Sequence, residues 1–395
     1  MVNTITGLES LFRGTQGLVA GIVNWEQLRQ LASFRAEHGC AITLFLNLDP
    51  SEVPTAGDAQ TRMNSLLSAA EKADRSELTH DQRQGLKSDF ERIERWFDDD
   101  FNRDGAQGLA IFSAGLDNFW STVSLPSPVQ DGVKVGREFV LAPLIPLIAR
   151  ADGTIVAVVS RERGELYRLR SGRLEAIADH SEEQPGQHDQ GGWSQSRYQR
   201  HIEKLVQEHL KDVAEELDRS RTRMRSPKVV LVCPEEMRGE FVDELSKEAR
   251  DALIGFAHAE AHAGPPELLE AVRPVLEQAQ AKDEGDVIER WREEAGRNGR
   301  AASGWERTLE AASDGRVEVL LAQEGYDRPA FRCPACGRAA TTGGSCPLDG
   351  TRLEPHDAGL DLAVRQTLAH GGAIWAIRHH EDLAPVEGLG ALLRY

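Results

Sequence analysis

A chain of 395 residues is more than one hydrophobic core usually serves, so two or three domains are expected, and three is the working division. Hydrophobic residues at 40% and charged residues at 28% are ordinary for globular protein; no apolar run is long enough to cross a membrane, and the opening VNTITGLESLF lacks a secretory pattern, which places the chain in the cytoplasm. A formal charge of −18 excludes a general nucleic-acid binder, since phosphate contact is driven by Lys and Arg, so any contact with RNA must be local.

In chain order, 42-ITLFLNL-48 and 108-GLAIFS-113 read as buried strands. Between them, residues 80–97 put Leu86, Phe90, Ile93 and Phe97 at helical spacing behind a capping Thr79. SLPSPVQDG, 124 to 132, reads as a linker or exposed hairpin. Short runs at 154–160, 164–170 and 173–177, separated by turn residues, read as an antiparallel meander. A polar stretch follows, and then residues 197–221 place Ile202, Leu205, Val206, Leu210, Val213 and Leu217 on one face of a long helix. Strands at 228–233 and 253–259 flank a helix through Phe241 and Leu245. Strands first, a long helix, then alternating strand and helix suit a ribonuclease-H-like layered sheet. Helical patterns at 266–280 and 283–295, a strand at 316–322, and a helix, Gly-Gly stop and strand over 359–377 make a third unit. The expected class is α/β and multidomain: an N-terminal α/β domain over 1–130, a middle domain over 140–262 and a C-terminal domain over 265–395.

The five cysteines divide unevenly. Cys40 and Cys233 stand alone in apolar stretches, while 333-CPACGRAATTGGSCPLDG-350 clusters the other three, which is the arithmetic of a metal site and not of a disulfide framework. Cys333 and Cys336 form half of a tetrahedral zinc site; the second knuckle, CPLDG, offers Cys346 and Asp349, with His356 as the other choice of fourth ligand. The same spacing also fits a ribbon held by turns alone. Either way a structural ribbon over 331–356 is expected.

In 189-DQGGWSQSRYQRHIEK-204, Gly191 and Gly192 remove two consecutive Cβ atoms, so the backbone can take positive φ and approach another polymer closely. Trp193 then stands at the tip of a polar loop, and Arg197, Arg200, His201 and Lys204 recur at helical spacing behind it. A second basic cluster includes Arg219, Arg221, Arg223, Arg225 and Lys228. A solvated helix face accounts for either cluster alone; both, at the two ends of one helix on an acidic chain, are what a locally RNA-contacting module needs. P-loop, GxGxxG, HExxH and GxSxG patterns are absent.

These pieces resemble the archaeal and eukaryotic class-I peptide release factors, with Pelota and bacterial relatives of the Balon type. GGWSQSRYQR, 191 to 200, is similar to the family's GGQSALRFAR; 302-ASGWERTLEAASDGRVEVLLAQE-324 resembles the segment that precedes the family's zinc ribbon, and 388-GLGALLRY-395 resembles its terminal GGIGAILRY. The resemblance implies a ribonuclease-H-like middle domain and an L7Ae-like C-terminal domain that binds a translational GTPase, for which elongation factor Tu is a bacterial choice. It implies a soluble ribosomal A-site factor, touching ribosomal RNA and the transfer RNAs of the A and P sites, whose Gly-Gly loop helps to place water against the peptidyl-tRNA ester by positioning and oxyanion stabilisation. Two departures matter. No NIKS or YxCxxxF stop-codon motif is found, and Trp193 stands where the family has glutamine, with Gln195 two residues on. The expected active loop is therefore Gly191, Gly192 and Gln195; Trp193, Arg197, Arg200, Lys204, Arg221 and Arg223 would hold RNA, with Trp193 stacking on a nucleobase for about 1–3 kcal/mol. Without hydrolysis, the same protein would act as a hibernation factor that blocks the A site.

Overall fold

The computed structural model describes residues 25–73, 76–103, 105–148, 153–170, 172–181, 195–224, 227–297 and 299–395. These form two compact units: Arg35–Phe139, and a second that joins helix α1 (Trp25–Ser33) to Val140–Tyr395.

The first unit contains β1 (Ala41–Asn47), α2 (Ala56–Glu71), α3 (His80–Asp99), β2 (Gly108–Ala114), β3 (Phe119–Leu125) and β4 (Gly132–Gly136). The strands form an antiparallel sheet in the order β3-β2-β1-β4. Both central strands are buried at every residue, which is why they read as continuous apolar runs and not as alternation. Thr55 and Thr79 open α2 and α3 with reciprocal capping boxes to Asp58 and Gln82. Behind those caps Leu86, Phe90, Ile93 and Phe97 pack on Ile42, Leu44, Leu46 and Ile111, as their spacing predicts.

The second unit continues with α4 (Ile145–Ile148), β5 (Ile155–Val159), β6 (Gly164–Arg170), β7 (Arg173–Asp179), α5 (Gln195–Thr222), β8 (Val229–Val232), α6 (Arg238–Glu244), α7 (Lys247–Ala252), β9 (Leu253–Ala257) and α8 (Pro265–Gly296). The meander is antiparallel, and β8 and β9 join it in parallel, giving the order β7-β6-β5-β8-β9. Val206, Leu210, Val213 and Leu217 of α5, with Phe241 and Leu245, fill one face of this sheet. Leu268 and Val272 of α8 fill the other, against Val156, Val158 and Val230.

The chain then forms β10 (Ala301–Ser303), α9 (Trp305–Ser313), β11 (Val317–Gln323), β12 (Ala330–Arg332), β13 (Ala339–Ala340), β14 (Glu354–His356), α10 (Gly359–Ala369), β15 (Ala373–Ile377) and β16 (Leu389–Leu393). A four-stranded sheet runs β10-β16-β11-β15, and a small ribbon runs β13-β12-β14. Val287, Ile288 and Trp291, from the second half of α8, pack on Val319, Leu321, Ile377 and Leu392.

Three organisational expectations differ from what is found. The segments 266–280 and 283–295 are one helix, α8, whose two halves serve two sheets, so the packing does not break at 262–265. Pro274 lies within α8. Strand β4 lies beyond residue 130 and extends the first unit to Phe139, while α1 packs in the second unit, where Arg365 of α10 donates to the carbonyl of Ala32 at 2.6 Å. Short-range periodicity carries no information on which of two sheets a helical turn will cover.

Candidate functional site

Gly191, Gly192, Trp193 and Ser194 lie outside the described residues, as do the side chains of Gln195, Arg197 and His201 and all of Arg225. The helix that follows the loop is described from Gln195, its first residue, to Thr222. Along it the core face becomes fully buried only from Val206; Ile202 and Leu205 are half-buried, and Arg200, Glu203 and Lys204 are exposed.

The fixed point of this helix is at its middle. A Cβ added to Gly164, the first residue of β6, would stand 2.5 Å from Val213 and 3.0 Å from His209, so a glycine here lets strand and helix close together. His180, just after β7, donates its amide to the Gly164 carbonyl at 2.7 Å. At a rise of about 1.5 Å per residue, Gln195 lies roughly 21 Å along the axis from His209. Gln195, the first residue of α5, follows the Gly191-Gly192 sequence by three positions.

Arg163 braces the base of this assembly. Its guanidinium makes a bidentate pair with Glu165 at 2.7 Å and also donates to the carbonyls of Ala261 and Ala263 at 2.9 and 2.8 Å. Tyr167 donates to the same carboxylate at 2.6 Å. The hydrogen bond to Glu165 raises the Arg163 pKa; burial, then Glu165, raises that of Tyr167. Sequence reasoning missed this trio. Its signal was available, because residues 163, 165 and 167 share one face of an extended strand.

The basic residues behave unequally. Arg200 and Arg223 are exposed. Lys204 pairs with Glu208 at 3.3 Å, and Arg221 approaches Asp218 at 3.8 Å. Arg219 pairs with Glu216 at 3.0 Å, and Lys228 with Asp283 of α8. Much of the second basic cluster is therefore committed to the protein's own carboxylates.

The four predicted metal ligands do converge. The donor atoms of Cys333, Cys336, Cys346 and Asp349 all lie within 4.8 Å of one another. Two turns of the same construction present them. In the first, Cys333 N–H donates to Arg338 O at 2.8 Å and Gly337 N–H to Cys333 O at 2.9 Å; in the second, Cys346 N–H donates to Thr351 O at 2.7 Å and Gly350 N–H to Cys346 O at 2.9 Å. Gly337 and Gly350 take φ of +79° and +74°, a conformation that favours glycine. The flanking pairs match as well, Arg332 with Ala339 and Ser345 with Arg352. This internal repeat puts Asp349 in the place that Cys336 holds in the other turn.

The donor set fits a tetrahedral cation. Cys336 and Cys346 sulfurs are 3.5 Å apart and an Asp349 oxygen is 3.4 Å from the Cys333 sulfur, near the roughly 3.8 Å between sulfurs that zinc bonds of about 2.3 Å imply. Desolvation and the neighbouring Cys333, Cys346 and Asp349 push the Cys336 thiol up to about 12. The Thr351 amide and hydroxyl hold Asp349 well below the usual carboxylate range. Burial raises the Cys333 pKa, but hydrogen bonds led by the Cys336 and Ala335 amides outweigh it and lower the thiol overall. A divalent cation would supply the positive charge that lets all three thiolates form. Among the described residues His356 is not part of this group; its Nδ1 accepts from the Ala358 amide at 3.3 Å. Cys40 and Cys233 are buried free thiols.

His379 and His380 reach α8 from the turn after β15. His379 Nδ1 lies 3.0 Å from buried Glu284 and His380 Nε2 lies 2.7 Å from the Ala281 carbonyl.

Residues 140–282 match the family described as bacterial archaeo-eukaryotic release factor family 10. That span ends inside α8, near where the helix passes from one sheet to the other. Peptide chain release factor subunit 1 of Archaeoglobus fulgidus is 23% identical over 79% of this chain and 78% of its own length. The same-named protein of Thermococcus onnurineus is 28% identical over 58% of this chain and 60% of its own length, less than two thirds of that relative. Among solved structures, a ribosome-bound archaeal Pelota aligns over 95% of each chain at 14% identity and a TM-score of 0.41. No helix among the described residues is long and apolar enough to cross a membrane.

Proposed function

We propose, from the match of residues 140–282 to bacterial archaeo-eukaryotic release factor family 10 and the likeness to peptide chain release factor subunit 1, that the chain is a bacterial-branch member of the release-factor superfamily, a ribosome-associated factor that enters the A site and rescues stalled ribosomes by hydrolysing the peptidyl-tRNA ester. The observation that carries this reading is the Gly-Gly sequence three residues ahead of α5, on which exposed Arg200 and Lys204 precede Val206, the first of its described residues to be buried. Gly191 and Gly192 let the backbone approach the ester closely, and Gln195 orients a water against it. The rate would come from placement and from stabilising the developing oxyanion, with no general base on the protein. Trp193 stacks on a nucleobase, and Arg197 and Arg200 hold the surrounding RNA, with Lys204, Arg221 and Arg223 as outer contacts. A translational GTPase, elongation factor Tu in bacteria, delivers the protein to the ribosome. Cys333, Cys336, Cys346 and Asp349 hold a structural zinc ion, which supplies cross-linking of the two turns and no chemistry on substrate.

One observation favours a second reading. Trp193 occupies the position where the resembling factors carry glutamine, which suits a non-hydrolytic hibernation factor that fills the A site. Release of labelled peptide from stalled ribosome complexes separates the two. Rescue predicts release by the wild type and a loss of about a hundredfold or more in Gln195→Ala; hibernation predicts ribosome binding without release. Wild type that fails to pellet with ribosomes removes both readings. Equal pelleting by wild type and Trp193→Ala removes the stacking role.

A further inference from the structure

The two turns of the cysteine cluster repeat each other in backbone and differ in what they expose. Each buries its first ligand: Cys333 and Cys346 are at 0% and 3% exposure. Each presents its last ligand, Cys336 or Asp349, to solvent. Four thiols in such an arrangement could oxidise in several pairings. Asp349 reduces the thiols to three; all of them lie within 4.8 Å of one another, and the carboxylate engages one. Cys336 and Cys346 sulfurs are 3.5 Å apart, whereas the Cys333 sulfur faces the Asp349 carboxylate at 3.4 and 3.6 Å. An exposed thiol with a second thiol beside it is the arrangement in which a sensor cysteine meets a resolving one.

Resting on the reading of this cluster as a metal site, we infer that Cys336 and Cys346 form a redox switch that releases the metal when a peroxide reaches Cys336. The Cys336 thiolate attacks one peroxide oxygen and becomes a sulfenic acid, with hydroxide leaving. The Cys346 thiolate then attacks the Cys336 sulfur and expels a second hydroxide. The two sulfurs lose two electrons, the O–O bond accepts them, and one S–S bond forms. Only Cys333 and Asp349 remain as ligands, too few for a cation that requires four. A dithiol reverses the step by exchange and regenerates both thiolates. The carboxylate at position 349 gives the switch a single product, a Cys336–Cys346 disulfide with Cys333 left reduced.

The test uses the full chain, purified with its metal and treated with hydrogen peroxide in the presence of a chromogenic zinc chelator. Expected results are release of one metal ion per chain, a mass lower by two hydrogens, a peptide joining Cys336 to Cys346, alkylation of Cys333 alone within the cluster, and recovery of metal binding after dithiothreitol and zinc. Asp349→Cys should give mixed pairings in place of one. A disulfide that includes Cys333, or metal retained at oxidant levels that convert Cys336 to its sulfinic acid, overturns the inference while leaving the metal reading intact. Protein that carries no stoichiometric metal and takes up no zinc overturns both.

Discussion

Replacing Glu284 by alanine tests the account of how one helix serves two sheets. The Glu284 carboxylate is fully buried. One oxygen accepts the amides of Arg378 and His379, both at 2.9 Å; the other lies 3.0 Å from the His379 ring and accepts from Gln280 at 3.0 Å. Truncation deprives two backbone donors and an imidazole of their acceptor at the turn after β15. Each orphaned buried donor costs about 1–3 kcal/mol, and dismantling a buried charged network about 3–5 kcal/mol. Arg378 and His379 are themselves exposed, so water can reach part of the gap, and the lower end applies. The expected loss is therefore about 3 kcal/mol. For a unit of this size that corresponds to roughly 6–12 °C in melting temperature. Glu284→Gln, which keeps a carbonyl oxygen for the two amides, should lose less than half as much. Calorimetry of the full chain reads the total; hydrogen exchange at Arg378 and His379 reads it locally, where protection should fall by about a hundredfold. A loss below about 1 kcal/mol with unchanged protection at these two amides would refute the view that this carboxylate ties α8 to the C-terminal sheet.

Gly388 has φ of +77° and a Cβ there would lie 2.2 to 2.7 Å from Tyr326, so Gly388→Ala should cost about 2–4 kcal/mol in denaturant titration; Gly132→Ala, with nothing within 4 Å of the new methyl, should be close to neutral. Burial raises the Asp117 pKa, but hydrogen bonds from the amide and ring of His38 and the amides of Gly39 and Glu37 outweigh it and hold the carboxyl below its usual range. A depressed carboxylate stabilises fully above its unfolded pKa of about 3.9 and loses that contribution as pH falls through the folded value. Acid titration of unfolding should therefore show a limb below about pH 4 that Asp117→Asn flattens, and an unchanged limb assigns the acid sensitivity elsewhere. Cys333→Ser should reduce bound metal from one ion per chain to a small fraction by elemental analysis, and chelation of the wild type should open Ala330–His356 to protease; retention of full metal by Cys333→Ser removes the ligand set.

The parts of the fold that could be read from the sequence are those where one local pattern has one physical cause. Ile42 to Leu48, interrupted only by buried Thr43 and Asn47, and Leu109 to Ile111 read as apolar runs because every residue of β1 and β2 is buried, and the helix through Leu86, Phe90, Ile93 and Phe97 repeats at its own period because it has one buried face. Strand β3 escaped notice for the opposite reason. As an edge strand, half-buried at five of its seven residues, Phe119–Leu125 carries neither a continuous nor a clean alternating signal. Helix α8 was divided in two because its apolar stripe changes direction between Val272 and Val287, where the helix leaves one sheet for the other. In the terminal GLGALLRY, Gly388 is required by its positive φ and Gly390 by the Trp291 ring, whose Nε1 would lie 2.9 Å from an added Cβ. A motif that could be recognised only by likeness thereby acquires a packing reason.

The same distinction explains the candidate site. The metal cluster was legible residue by residue because ligand spacing in a tight turn is a local property: C-x-x-C and C-x-x-D each need only one reversal of the backbone, and the fold had only to bring two such reversals together. The brace at Arg163 was not legible as a brace, since the carbonyls that it grips, Ala261 and Ala263, lie about a hundred residues away and carry no side-chain signature. Ion pairing limits the basic patches in a similar way. Arg219, Arg221 and Lys228 looked like a cationic surface when counted along the chain, but Glu216, Asp218 and Asp283 are placed by the helices to meet them. Among the described side chains of the two basic clusters, Arg200 and Arg223 are the arginines for which no acidic partner offsets the charge in this way. If local positive charge steers this acidic chain to RNA, substitution of Arg200 should therefore reduce the salt dependence of ribosome binding more than substitution of Arg219, whose charge is already balanced inside the protein.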